Sequence, residues 1–135
     1  MNRNVVIVKP ELTLKEACEV MTKLRIGSLV VLSDQKLVGI ITSMNVMKAI
    51  ASGRDPEKTS VDNIMTKEVI TVGPDKDLEE AVDSMVKNRI KKLPVVDNGK
   101  LVGMITTSDI VSVEPKLLES IISLLSVKPP MYTGG

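Results

Sequence analysis

Residues 5–47 align with residues 69–111 at a constant shift of 64 without a gap, and 18 of the 43 aligned positions are identical. The chain is one unit written twice. Leu14, Glu16, Ala17, Met21, Arg25 and Ile26 recur as Leu78, Glu80, Ala81, Met85, Arg89 and Ile90, and Lys36–Gly39 recurs as Lys100–Gly103. Two copies in 135 residues point to one globule with an internal pseudo-twofold axis, not to a solenoid. Each copy of about 60 residues is marginal alone, so the copies are expected to share a core. A ligand would sit where they meet.

Composition narrows the function classes. Hydrophobic residues make up 43% and charged residues 26%, which are globular proportions. Apolar runs such as Leu29–Leu32 fall far short of the roughly 20 residues of a membrane helix, and no signal peptide is read before the first repeat. The single cysteine, Cys18, suits a reducing compartment, so a cytoplasmic protein is expected. A net charge of +1 lacks the basic excess of a nucleic-acid binder, and with one tyrosine and no Phe or Trp there are no rings on which bases would stack.

Each copy reads β-α-β-β-α. The runs Val5–Val8 and Val69–Val72 are β-branched and end at Pro10 and Pro74. Thr13 with Glu16, and Asp77 with Glu80, have the spacing of helix-opening capping boxes. Leu14, Ala17, Cys18, Met21 and Leu24 then mark one apolar helix face. The apolar runs Leu29–Leu32 and Leu93–Val96 are strands joined to a second strand, Leu37–Thr42 or Leu101–Thr106, by tight turns. Second helices are expected over Ser43–Ser52 and Thr107–Val113, with a short helical turn in Ser60–Met65. Pro115 opens a further apolar helix. The division is 1–54 for the first unit, 55–64 for a linker, 65–113 for the second unit and 114–135 for a C-terminal helix and tail.

The segment Gly103–Asp109 sets hydroxyls and a carboxylate at the mouth of a helix. Helix N-termini favour anions, and an ionised Asp109 can accept two hydrogen bonds from vicinal hydroxyls, which suits a ribose. Ser, Thr and Asp are equally the preferred N-cap residues, so simple capping stands beside that reading. Arg25 and Arg89 fall at matched helix ends, where a cation complements the macrodipole. Met21 and Met85 read as core, and Cys18, aligned with Val82, reads as a small buried hydrophobe.

The sequences Asn63-Ile64-Met65-Thr66, Arg89–Asp97 and Leu101–Ile110, in that order and spacing and duplicated in the chain, resemble the cystathionine-β-synthase (CBS) domain. A tandem pair resembles a Bateman module. The resemblance covers residues 1 to about 113. It implies an α+β fold of two pseudo-symmetric units packed through their sheets. It further implies a regulatory module that binds adenine nucleotides or S-adenosyl derivatives between its units, and association of two copies through the helices.

On that resemblance, one cleft combines Thr106, Ser108 and Asp109 of the second unit with Val6, Ile26, Gly27 and Ser28 of the first. Asp109 would take the ribose hydroxyls, and backbone groups at Val6 and Gly27–Ser28 the adenine edge. Core packing is the alternative role for Val6 and Ile26. The symmetric cleft would use Gly39, Thr42 and Asn45 with Ile70, Ile90, Lys91 and Lys92. Asn45 stands where Asp109 stands and Met44 where Ser108 stands, so this second cleft is expected to bind more weakly or to take another ligand. Lys91 and Lys92 are phosphate candidates, although adjacent lysines are also common on solvated surfaces.

Catalysis is not expected. The chain has no histidine, one cysteine, and no Gly-rich phosphate loop, which removes His general bases, thiolate metal sites and the common nucleotide-hydrolysing motifs. The leading expectation is a sensor with no required cofactor that takes AMP, ADP, ATP or an S-adenosyl compound and reports to an effector protein. A ligand-independent dimerisation or interaction module is the alternative class, and nucleic-acid binding is a distant third.

Overall fold

A computed structural model describes residues 5–113. The elements run β1 (Ile7–Val8), α1 (Leu14–Leu24), β2 (Ser28–Ser33), β3 (Lys36–Thr42), α2 (Ser43–Ala51), a 3₁₀ turn (Val61–Asn63), α3 (Leu78–Asn88), β4 (Lys92–Asp97), β5 (Lys100–Thr106) and α4 (Thr107–Val113). The helix read from Pro115 onward lies outside the described residues.

Local chemistry sets the ends of these elements. Thr13 caps α1 by accepting from the Glu16 amide at 3.1 Å while its own N–H donates to Glu16 Oε1 at 3.1 Å, a complete capping box. Asp77 accepts from the Glu80 amide at 2.8 Å, but the Glu80 carboxylate turns to Lys76 at 3.0 Å, so α3 has half of that motif. Both long helices end on an arginine in the left-handed region, Arg25 at φ 54° and Arg89 at φ 53°. Both hairpins turn through two positive-φ residues, Asp34-Gln35 and Asn98-Gly99, whose twist suits tight antiparallel pairs.

The hairpins β2–β3 and β4–β5 share their register and carry an irregularity at the same place, Val31/Leu32 and Val95/Val96. They join edge to edge at one antiparallel pair, Lys36 opposite Lys100, to form a five-stranded sheet in the order β1-β2-β3-β5-β4. These two lysines are equivalent under the shift of 64. The pseudo-twofold axis therefore passes between them.

Two sequence expectations are corrected. The strand read at Val69–Val72 reduces to a single parallel bridge, Val72 to Val95. In the first unit the Val30 amide donates to the Val6 carbonyl at 3.0 Å; the equivalent of Val30 is Pro94, which has no N–H to give Ile70. The core is also divided, not shared. Leu14, Ala17, Met21, Leu29, Val31 and Ile41 pack under the helices of the first unit, and Ala81, Val82, Met85, Leu93 and Ile110 under those of the second. The opposite strand faces, with Val30, Pro94 and Met104 buried, turn toward the other unit.

The segment after α2 is a packed strap. Leu14 N–H donates to the Thr59 carbonyl at 2.8 Å, Val61 N–H to Leu12 at 2.7 Å, and Thr66 N–H to Ile40 at 2.8 Å. Val61 and Met65 thereby enter the first unit's core. Residues on both sides of the strap are thus carried from one unit to the other along a fixed path.

Candidate ligand clefts between the units

Three hydrogen-bonded corners place the polar groups. Thr42 caps α2: its N–H donates to Asn45 Oδ1 at 2.8 Å, its hydroxyl to the same oxygen at 2.9 Å, and Asn45 Nδ2 donates to Thr66 Oγ1 at 3.3 Å. The Asn45 amide is committed to the cap and to the strap. In the second unit Thr106 N–H donates to Asp109 Oδ2 at 3.2 Å, and the Asp109 amide to Thr106 Oγ1 at 3.1 Å. The α2 and α4 starts are then tied to the turns preceding β2 and β4, Ser43 N–H to the Gly27 carbonyl at 3.0 Å and Thr107 N–H to that of Lys91 at 3.1 Å. Capping is therefore realised at both sites.

Ser28 and Lys92, another equivalent pair, meet directly, Lys92 Nζ donating to Ser28 Oγ at 2.9 Å. They divide two unequal clefts. The larger, about 770 Å³, lies between Ile40, Thr42, Ser43, Met44 and Met47 of the first unit and Thr66, Glu68, Val69, Ile70, Arg89, Ile90, Lys91 and Lys92, with Gly27 and Ser28 at the division. Its walls are mostly aliphatic, and its charged lining is three cations against one carboxylate. The smaller, about 80 Å³, is lined by Val5, Val6, Ile26, Ser28, Val30, Lys92, Met104 and Thr106.

The structure thus brings Val6, Ile26, Ser28 and Thr106 together as the sequence suggests, and groups Thr42, Ile70, Ile90, Lys91 and Lys92 with Gly27 in the larger cleft. Asp109 instead lines a separate cavity of about 250 Å³ with Gly73, Pro74, Lys76, Leu78, Val95 and Ile105, at the starts of the two helices of the second unit. Ser108 is exposed, and Asn45 sits behind Thr42. Met44, Met47, Thr66 and Glu68 are cleft residues that sequence reasoning did not nominate; the signal for Thr66 and Glu68 was their place just before Val69 and Ile70. Among the described residues no group of His, Cys, Asp and Glu side chains is arranged to hold a metal ion, and no helix is long and apolar enough to cross a membrane.

Comparison with known proteins accounts for the duplication. A family model described as the CBS domain matches twice, at residues 1–52 and 61–116. An uncharacterized protein of Methanopyrus kandleri is 39% identical over 122 residues, covering 88% of this chain and 62% of its own length. A CBS domain-containing protein of Bacillus subtilis is 32% identical, covering 82% of this chain and 79% of its own. Inosine-5'-monophosphate dehydrogenase of Thermoplasma acidophilum is 39% identical over 82% of this chain but matches over only 22% of the enzyme. Among solved structures, the CBS-domain containing protein from Agrobacterium tumefaciens superimposes with a TM-score of 0.71 at 31% identity, covering 82% of this chain and 89% of that one. The chain belongs to the CBS-domain family, with its two CBS domains in tandem.

Proposed function

We propose that this protein is a regulatory module whose larger cleft binds an adenosine-containing ligand, with AMP, ADP and ATP favoured over S-adenosyl compounds. The observation that carries the reading is the lining of that cleft by both units. Met44, Met47 and Ile40 oppose Ile70 and Ile90, a slot for a planar base, while Arg89, Lys91 and Lys92 face one carboxylate, Glu68. The cationic excess attracts a phosphate and disfavours a sulfonium. A volume of about 770 Å³ lies within the range of small-molecule sites. The Ile70 carbonyl, which Pro94 cannot engage, is an acceptor for an exocyclic amine. The Asp109 reading remains a second proposal, since Asp109 Oδ1 takes no part in the cap.

Binding across two units favours the arrangement in which both walls touch the ligand, and that difference in affinity is what a switch requires. A CBS-domain protein of Burkholderia ambifaria, similar to this chain at a TM-score of 0.73 and 31% identity, is named for signal transduction, in keeping with this role. A ligand-independent interaction module is the competing reading; Met44 and Met47, each 55% exposed, and Ile50, 50% exposed, favour it by giving α2 an apolar outer face.

Isothermal titration with AMP, ADP, ATP, S-adenosylmethionine and methylthioadenosine separates these readings. Saturable nucleotide binding that is lost in Met47→Trp and weakened in Lys91→Ala supports the larger cleft. Loss in Asp109→Ala with retention in Met47→Trp moves the site to the Asp109 side. Absence of binding by folded protein across the panel overturns the sensor in favour of the interaction module.

A further inference from the structure

Ser28 and Lys92 are related by the shift of 64, so the bond of 2.9 Å from Lys92 Nζ to Ser28 Oγ lies on the pseudo-twofold axis. Each residue opens the first strand of its hairpin opposite the threonine that closes the second, Ser28 opposite Thr42 and Lys92 opposite Thr106. Thr42 lines the larger cleft and Thr106 the smaller, while Ser28 and Lys92 line both. The duplication has put a hydroxyl on one side of the axis and an ammonium on the other, so a single cation stands where the two clefts meet. The clefts do not depend on it equally. Arg89 and Lys91 also line the larger cleft, whereas Lys92 is the one charged residue among the described lining of the smaller.

We propose that Lys92 is one phosphate contact shared by both clefts: a phosphate in the larger cleft takes its ammonium from Ser28, and the smaller cleft is then left without charge. The inference rests on the nucleotide site proposed for the larger cleft. Ser28 offers a neutral oxygen, and a phosphate offers anionic ones, whose charge-assisted bonds are shorter and stronger. Lys92 is exposed, so the bond to Ser28 is a modest one to give up. The ammonium rides on a flexible four-carbon stem, and Ile90 and Lys91, which wall the larger cleft, directly precede it, so it is within reach of that side. Two phosphates on this one ammonium would bring like charges together across the axis, which Coulomb repulsion opposes. The clefts therefore take phosphate-bearing ligands one at a time, and the larger cleft, with its two further cations, is filled first.

The test is a double-mutant cycle on ATP binding, measured by isothermal titration of the full-length wild type, Ser28→Ala, Lys92→Met and the double variant. The wild type is expected to take one equivalent of ATP. Ser28→Ala frees the ammonium and should bind ATP about threefold more tightly, and Lys92→Met about tenfold more weakly. The double variant should bind no more tightly than Lys92→Met, because the hydroxyl acts only through the ammonium. If Lys92→Met does not fold, Lys92→Gln takes its place. An unchanged or lowered ATP affinity in Ser28→Ala, a gain that persists without Lys92, an equal gain for adenosine, or two equivalents of ATP on the wild type overturns the shared contact and leaves the nucleotide site in place. Absence of ATP binding by all the folded chains overturns the nucleotide site and the shared contact together.

Discussion

Gly39→Ala is the most informative single substitution in the first unit. The new methyl group would meet Met65 at 2.5 Å from Sδ, 2.8 Å from Cγ and 3.0 Å from Cε, three contacts along one side chain, so rotating its tip does not relieve them all. Met65 is 9% exposed and packs into the cluster formed by Leu14, Val31, Ile41 and Val61, so retreat means leaving a filled site. Overpacking of this kind costs about 1–3 kcal/mol, and we expect about 2 kcal/mol. For a chain of 135 residues that lowers Tm by about 7 °C. Urea and thermal unfolding followed by circular dichroism measure it, together with Met65→Ala, expected to cost about 2–3 kcal/mol, and the double variant. Because removing the Met65 side chain removes the collision, the double variant should be little worse than Met65→Ala alone, a coupling of about 1–2 kcal/mol. A neutral Gly39→Ala, or two effects that simply add, refutes the view that the strap holds its place by lying on this glycine.

Three further outcomes follow from the asymmetries between the units. Replacing Asp34-Gln35 by the Asn-Gly of the second hairpin removes a glutamine from φ 69° and should raise stability by about 0.5–1 kcal/mol in urea titration. Thr13→Ala breaks the α1 capping box and should cost about 1 kcal/mol at neutral pH. The backbone N–H and then the hydroxyl of Thr13 hold the Glu16 carboxyl below its ordinary range. A lowered folded value means that this contribution is present above the ordinary Glu range and fades as pH falls through the lower folded value. Thr13→Ala keeps the backbone N–H and removes only the hydroxyl's share, so the gap between wild type and Thr13→Ala should narrow modestly in acid, and a gap that widens there contradicts the assignment. Pro94→Val supplies the amide that Ile70 lacks; it should give an exchange-protected N–H at position 94, about 0.5–1 kcal/mol of added stability and weaker nucleotide binding, and an unprotected amide refutes it.

The scaffold was legible because its signals are local and repeat. The caps at Thr13 and Asp77, the apolar stripe from Leu14 to Met21 and the turns at Asp34 and Asn98 lie within a few residues of their consequences. The strap was harder to see, because Val61 and Met65 are buried by residues 20 to 50 positions earlier; the trace it leaves in the sequence is a glycine in the middle of a strand. The shortened first strand of the second unit was missed, because Val69–Val72 has a strand's composition; the signal lay 24 residues away from Ile70 in Pro94, which has no N–H to donate to a neighbouring strand. The division of the clefts was only partly legible. Asn45 and Asp109 differ in charge as the sequence indicates, yet neither lines either of the two clefts, and each accepts from the backbone N–H of the threonine before its helix.

Whether one ligand touches both units is read most directly by a ¹H–¹⁵N correlation titration of the uniformly labelled protein with ATP. The account predicts saturable shifts of the Met44 and Met47 amides in the first unit together with Ile70, Ile90 and Lys91 in the second, all following one binding curve. Shifts confined to one unit, shifts centred on Asp109, or no shifts at all from a folded sample would contradict it.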